Sequence, residues 1–308
     1  MDIELLTNIL YAMVRTGTPL LLVALGELVC EKAGVLNLGQ EGMMLLGAVA
    51  GFIVGLSSGN LWLGTACGAL AGAVMSTLFA FVAVHLAANQ VATGLALTIL
   101  GVGLSSFIGA SWVGKPISGF EPVAIPVLSE LPVIGRMLFA QDLLVYLSFV
   151  LFALVAWALL RSRIGLIIKA VGENPDAASA TGLPVLWVRT GAVLFGGAMA
   201  GLAGAYMSLA YTPMWTENIT AGRGWIALAL VVFASWQVFR VLLGAWLFGL
   251  ASILHLVAQG LSVAIPGNLL AMLPYVATVL VLVALSRDAA KTRLFAPVSL
   301  GRPWKPGH

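Results

Sequence analysis

The sequence predicts an all-α membrane protein, a polytopic bundle of about nine transmembrane helices within a range of eight to ten. Three observations carry that prediction. First, hydrophobic residues make up 61% of the chain and charged residues 9%, with a mean hydropathy of +1.06. A water-soluble domain carries roughly a quarter of its residues as Asp, Glu, Lys or Arg, and 15 Lys and Arg with 12 Asp and Glu in 308 residues cannot cover a globular surface. Second, apolar runs recur at the length, about 20 residues, that crosses a hydrocarbon core with every backbone group satisfied inside the segment. Third, the basic residues gather in two places separated by an even number of these runs. The same arithmetic disfavours soluble enzymes and nucleic-acid binders. A formal charge of +3 then reports the sidedness of loops, not an anionic partner.

The runs fall at about 5–29, 34–57, 61–85, 90–110, 140–160, 187–211, 222–236, 239–259 and 267–286. The first begins after an acidic start, Asp2 and Glu4, which predicts no cleaved leader. It contains Arg15, and the seventh run is short, so either is expected to be tilted, broken or re-entrant. Arg161, Arg163, Lys169 and Arg189 mark one basic loop, and Arg287, Lys291, Arg293, Arg302 and Lys305 mark the tail. Both are expected in the cytoplasm by the positive-inside rule. Four runs lie between them, which returns the chain to the same side, and counting back puts the N-terminus and the 111–139 connection outside. That connection contains Pro116, Ser118, Gly119, Pro122 and Pro126 and reads as an ordered lid with little regular structure. The expected organisation is one transmembrane domain over 1–286, with an internal loop at 161–186, and a basic cytoplasmic tail at 287–308.

Small residues recur at helical spacing: Gly47, Gly51 and Gly55; Gly64, Gly68 and Gly72; and the run from Gly196 to Gly204. They predict close backbone approach, because lipid gives helices no hydrophobic drive to associate. Cys30 and Cys67 lie in apolar runs and read as packing residues, and His85, His255 and His308 form no ligand cluster.

The internal loop is the most informative polar segment. Residues 168–182 read as a short capped helix: Asn174 accepts from the first-turn N–H groups, Pro175 suits the first position, Asp176 complements the positive end and Gly182 stops it. Ala177, Ala178 and Ala180 leave a smooth surface suited to a groove on another protein, although composition leaves a plain linker open.

In order along the chain stand Gly-Val-Leu-Asn-Leu-Gly-Gln-Glu-Gly-Met-Met (34–44), Asn-Gln-Val-Ala-Thr-Gly-Leu-Ala-Leu-Thr (89–98), Ala-Val-Gly-Glu-Asn-Pro-Asp-Ala-Ala (170–178), Gly-Gly-Ala-Met-Ala-Gly-Leu-Ala-Gly-Ala-Tyr (196–206) and Gly-Arg-Gly-Trp-Ile-Ala-Leu-Ala-Leu (222–230). Together they resemble the permease subunits of bacterial ABC importers of the ribose and branched-chain amino acid class, most closely its nucleoside and simple-sugar branch. The resemblance covers about residues 15–286. It implies the permease fold, an inner-membrane location and three kinds of protein partner: a second permease, identical or homologous, two cytoplasmic ATPases and an extracytoplasmic binding protein. It places the ATPase-coupling helix on Gly172, Glu173, Asn174, Asp176, Ala177, Ala178 and Gly182. Val238 and Ser235 depart from the residues usual in relatives and put the geometry of the loop before the eighth run in question.

The chain itself carries no nucleotide site. Gly109–Pro116 approaches a phosphate loop but has Pro116 where Ser or Thr must hold magnesium. No cofactor is therefore expected here, with ATP and magnesium used by the partner.

Polar residues inside spans are costly and so face protein or water. Asn37, Gln40 and Glu41 form one cluster, with Asn37 and Glu41 expected one turn apart on a helix face. Asn89, Gln90 and Thr93 form another. Each is either a wall of the transport path or a clamp between helices. Trp215 and Asn218, in the turn 215–218, either stack on and hydrogen-bond a ring-bearing solute or anchor the interface. Arg15 either snorkels or pairs with Glu27 or another helix, and Arg223 meets an acidic docking residue or caps the preceding turn. The expected function is passage of a small neutral polar solute, a nucleoside by resemblance, with a simple sugar as the alternative. A proton-coupled transporter using Glu41 is the rival of a different class.

Overall fold

In the computed structural model, residues 3–260 and 295–305 are described, together with 272 and 276. The ninth expected run, 267–286, and the tail cations Arg287, Lys291 and Arg293 lie outside the described residues. Eleven helices are described: α1 (Ile3–Lys32), α2 (Gln40–Ser58), α3 (Leu61–Phe79), α4 (Gln90–Gly109), α5 (Ile134–Phe139), α6 (Leu143–Arg161), α7 (Arg163–Glu173), α8 (Pro175–Ala180), α9 (Val185–Tyr206), α10 (Arg223–Phe233) and α11 (Val238–Gly260). Wider π-helical turns extend α3 through His85 and α9 through Tyr211. Among the described residues the extended pairings are two isolated bridges, Pro116 with Met214 and Pro122 with Asp142.

Side-chain caps set several starts. Asn60 begins α3, Asn89 α4, Asp142 α6, Ser162 α7 and Asn174 α8, each accepting from N–H groups of the first turn.

Among the described residues six helices are long and apolar enough to cross a membrane: α1, α2, α3, α4, α6 and α9. Two of the expected runs differ in extent. The run 222–236 contains only the 11 residues of α10, about 16 Å of helix and half of a hydrocarbon core. The second run starts at Gln40 instead of 34, because 33–39 is irregular chain. The first run does not break at Arg15. Instead α1 continues for 30 residues through Arg15 and Pro19.

α1 and α9 lie at the centre, and α4 and α6 are the most exposed of the long helices. The most extensive contacts join α3 with α9, α2 with α3, α1 with α11 and α2 with α9. Glycine makes this possible. A Cβ at Gly47 would strike the backbone of Gly201, one at Gly72 that of Gly197, and one at Gly204 the carbonyl of Met44. Van der Waals contact over such thin faces is what holds helices together in lipid. Outward stripes are apolar, as on α3 (Leu70, Val74, Leu78 and Phe81) and on α6 (Val150, Leu154 and Trp157).

The 111–139 connection covers one end of the bundle with little regular structure. It is pinned by Ile117 N–H donating to the Pro213 carbonyl at 3.3 Å and by Val123 N–H donating to the Gln141 carbonyl at 2.9 Å. Arg15 reaches the same end, where Nη2 donates to the Ala210 carbonyl at 2.8 Å and Nε lies 3.5 Å from Asp142 Oδ2. Its partner is therefore Asp142 and not Glu27, which sits about 18 Å further along the same helix.

Candidate functional site

Three stretches of non-helical backbone reach the end opposite the lid, and polar residues singled out in the sequence hold the first two. The first is the corner 33–39 between α1 and α2, where Gly34 adopts φ +83°. A buried irregular segment must find partners for its amides outside itself. Glu27 Oε1 accepts from Asn37 N–H at 2.9 Å, and Glu27 Oε2 accepts from Gln40 Nε2 at 2.5 Å. Gln90 Oε1 accepts from Leu36 N–H at 2.8 Å, and Thr98 Oγ1 donates to the Leu38 carbonyl at 2.9 Å. Asn37 Oδ1 accepts from Gly39 N–H at 2.9 Å. Asn37 is thus a loop residue and not one turn below Glu41 on a helix face, a correction that follows from the later start of α2.

The second stretch is 212–222, which enters from the lid end and leads into α10. Glu41 meets it there. Its Oε1 accepts from Thr220 Oγ1 at 2.5 Å and from Gly222 N–H at 2.8 Å, and its Oε2 accepts from Gly224 N–H at 2.6 Å. A carboxylate from α2 therefore closes the open amides at the start of α10, where the helix dipole also favours negative charge. These contacts are those of a clamp. The other end of α10 is tied to α1 by Trp236 Nε1 donating to Glu31 Oε2 at 2.5 Å. The turn between α10 and α11 carries Ser235 and Trp236 at positive φ, 49° and 53°.

Trp215 is fully buried against Ala48, Val49 and Phe52. It therefore presents no open stacking face, contrary to one of its two expected roles. Asn218 is exposed with φ 55°, and its carbonyl accepts from Ala221 N–H at 2.9 Å. Arg223 caps the preceding turn, with Nη1 donating to the Thr220 carbonyl at 3.2 Å. Asn89 caps α4 through Ala92 N–H at 3.0 Å, and Thr93 Oγ1 donates back to the Asn89 carbonyl at 2.8 Å.

The internal loop folds as two helices. α7 runs to Glu173, and α8 follows Asn174, whose Oδ1 accepts from Ala177 N–H at 2.9 Å. Gly182 takes φ +86° and its N–H donates to the Ser179 carbonyl at 2.9 Å, ending α8. Glu173, Asp176, Ala177 and Ala180 face outward. Ala178 does not, since it is buried with Val171 and Val185. Gly172 is buried so close to the α1–α2 corner that a Cβ there would meet the Lys32 carbonyl.

The third stretch is 295–305. This part of the basic tail folds back onto Gly172 and the 33–39 corner. Arg189, expected as a loop cation, is buried and binds the Ala33 carbonyl through Nε at 3.2 Å and Ser299 Oγ through Nη2 at 3.1 Å. Glu27, Glu31, Arg189, Ser299 and Trp304 are the members of this site that sequence reasoning missed or misplaced. Two acids one turn apart in an apolar run, Glu27 and Glu31, were a usable signal, whereas nothing local marks Ser299 or Trp304. Among the described residues no group of three His, Cys, Asp or Glu is placed to hold a metal ion.

The family model for the permease component of branched-chain amino acid transport systems matches residues 9–285. The chain belongs to this permease family. The permease is 46% identical over 265 residues to a putative glucose ABC transporter permease protein of Haloferax volcanii, covering 85% of this chain and 80% of that one. It is 33% identical to a nucleoside ABC transporter permease protein of Lactococcus lactis, covering 86% and 88%, and 32% identical to a guanosine ABC transporter permease protein of Bacillus subtilis, covering 92% and 93%. It is accordingly a multi-pass membrane permease subunit and not itself an enzyme. Permeases of this kind work with ATPase and binding-protein partners.

Proposed function

We propose that this permease forms half of the pore of an ATP-driven importer for a small neutral polar solute, a nucleoside or a simple sugar, handed over by an extracytoplasmic binding protein. The outward-facing, capped α8 carries this reading, because a short rigid helix bearing Glu173, Asp176, Ala177 and Ala180 offers a grip to a motor that the chain lacks. The orientation that goes with it has the N-terminus and the lid outside and α8 and the C-terminal segment in the cytoplasm of a cell with its permease in the inner membrane. ATP and magnesium belong to the partner ATPases, and a second permease, identical or homologous, completes the pore.

The names of the relatives support the solute class, since they include a glucose, a nucleoside and a guanosine permease. The buried Glu27, Glu31, Glu41 and Arg189 are each hydrogen-bonded within the protein, which suits a hydroxyl-rich solute without net charge. Asn37, Gln40, Glu41, Gln90, Trp215 and Asn218 shape the path in this reading mainly by fixing the irregular backbone of 33–39 and 212–222, and Asn89 and Thr93 by fixing the first turn of α4. The test is uptake into vesicles holding the permeases, ATPases and binding protein, with nucleosides and monosaccharides as competing solutes. Uptake is expected to require ATP and the binding protein, and uptake persisting without the ATPases overturns the mechanism.

A further inference from the structure

Residues 295–305 make a strap across the end of the bundle that bears α8. Lys32 Nζ donates to the Phe295 carbonyl at 2.8 Å. Ser299 donates twice to the Gly172 carbonyl, from Oγ at 2.6 Å and from N–H at 3.0 Å, while its Oγ accepts from Arg189. Gly301 N–H donates to the Gly34 carbonyl at 3.3 Å, and Trp304 Nε1 donates to Asp176 Oδ1 at 2.7 Å. The strap therefore touches the α1–α2 corner, the end of α7 and the first turn of α8.

Contact with α8 is incomplete. Between the strap and the start of α8 lies an open cavity of about 280 Å³, with Glu173, Asn174 and Asp176 on one wall and Val298, Arg302 and Trp304 on the other. Val298 is 62% exposed although it lies at a polar end of the molecule. The volume falls just below the range of small-molecule pockets, about 300–1,000 Å³, and suits one protruding side chain. One wall is the outward face of α8 itself, so whatever grips that helix also meets the strap.

We propose that the strap is the second wall of the ATPase docking surface: an apolar or aromatic side chain of the ATPase enters between α8 and Val298–Trp304, and the strap carries its motion to the α1–α2 corner. The inference rests on the reading of α8 as the docking helix. A side chain that packs on Val298 and Trp304 within this rim of polar groups would lose its solvent only when the ATPase docks, which is how a protein interface excludes water around an anchor.

The test is co-purification and titration of the ATPase with full-length permease carrying Val298→Asp, Trp304→Ala or, as the reference, Glu173→Lys with Asp176→Lys. Val298 is exposed, so its change leaves the bundle intact, which an unchanged melting midpoint verifies. Val298→Asp and Trp304→Ala are each expected to weaken ATPase binding by about tenfold, a difference of ~1.4 kcal/mol. If both bind the ATPase like the wild type while the charge reversal abolishes binding, the strap inference falls and the α8 reading stands. If all three bind normally, the α8 reading itself falls and takes the inference with it.

Discussion

Replacing Glu41 by Gln separates a clamp from a path-lining acid. The wild-type carboxylate accepts three hydrogen bonds, from Thr220 Oγ1 and from the N–H groups of Gly222 and Gly224. A glutamine amide has one oxygen, so it satisfies at most the two donors that share Oε1 and turns an NH2 toward the third. The two retained bonds change from charged to neutral and lose about 1 kcal/mol each, and the orphaned N–H costs about 1–3 kcal/mol. Relief from burying a charge offsets part of this. A net loss of about 2–3 kcal/mol is expected, which at roughly 2–4 °C per kcal/mol lowers the melting midpoint by about 4–12 °C. The assay is thermal unfolding of the purified permease alongside solute uptake in vesicles. Glu41→Ala, which orphans all three donors, is expected to unfold at a lower temperature still. An unchanged midpoint with abolished uptake refutes the reasoning and restores Glu41 as a group that meets the solute or a proton.

Other outcomes follow from the same contacts. Gly201→Leu places a side chain against the backbone of Gly68 and Gly72, where α3 and α9 touch; the yield of folded protein in detergent extracts is expected to fall sharply, because overpacking of a few kcal/mol has no soft neighbour to absorb it. A cysteine at the exposed position 177, in preference to the buried 178, is expected to resist an impermeant thiol reagent added to intact spheroplasts and to react after lysis; labelling from outside inverts the topology. Uptake in cells is expected to survive an uncoupler while ATP remains high, and collapse under those conditions favours proton coupling. Glu173→Lys with Asp176→Lys is expected to leave membrane insertion unchanged and to abolish co-purification of the ATPase.

Much of the architecture was legible because its causes are local. Hydropathy places a span wherever about 20 residues can satisfy their own amides in lipid, and six of the expected runs are helices of that kind. The caps of α8 lie within eight residues of one another, so Asn174, Pro175 and Gly182 could be read directly. Glycine spacing pointed to close packing, and α2, α3 and α9 meet on those faces. The boundary of α2 was misread for a physical reason: 34–39 is as apolar as the helix after it, and only the amides bound by Glu27 and Gln90 explain why it need not be helical. The shortness of α10 was visible in the sequence, but not that Glu41 begins it.

By itself, then, the sequence determined the membrane class, the positions of six long spans, the capped α8 and the family, since each depends on neighbours along the chain or on ordered motifs. Only the tertiary structure decided what the intramembrane acids hold, that Arg189 is a buried bolt, and that 295–305 is a strap. Glu41 and Thr220 are separated by 179 residues, and Ser299 and Gly172 by 127. No local pattern pairs such distant groups, because buried polar atoms take whichever partner the packed helices bring within reach.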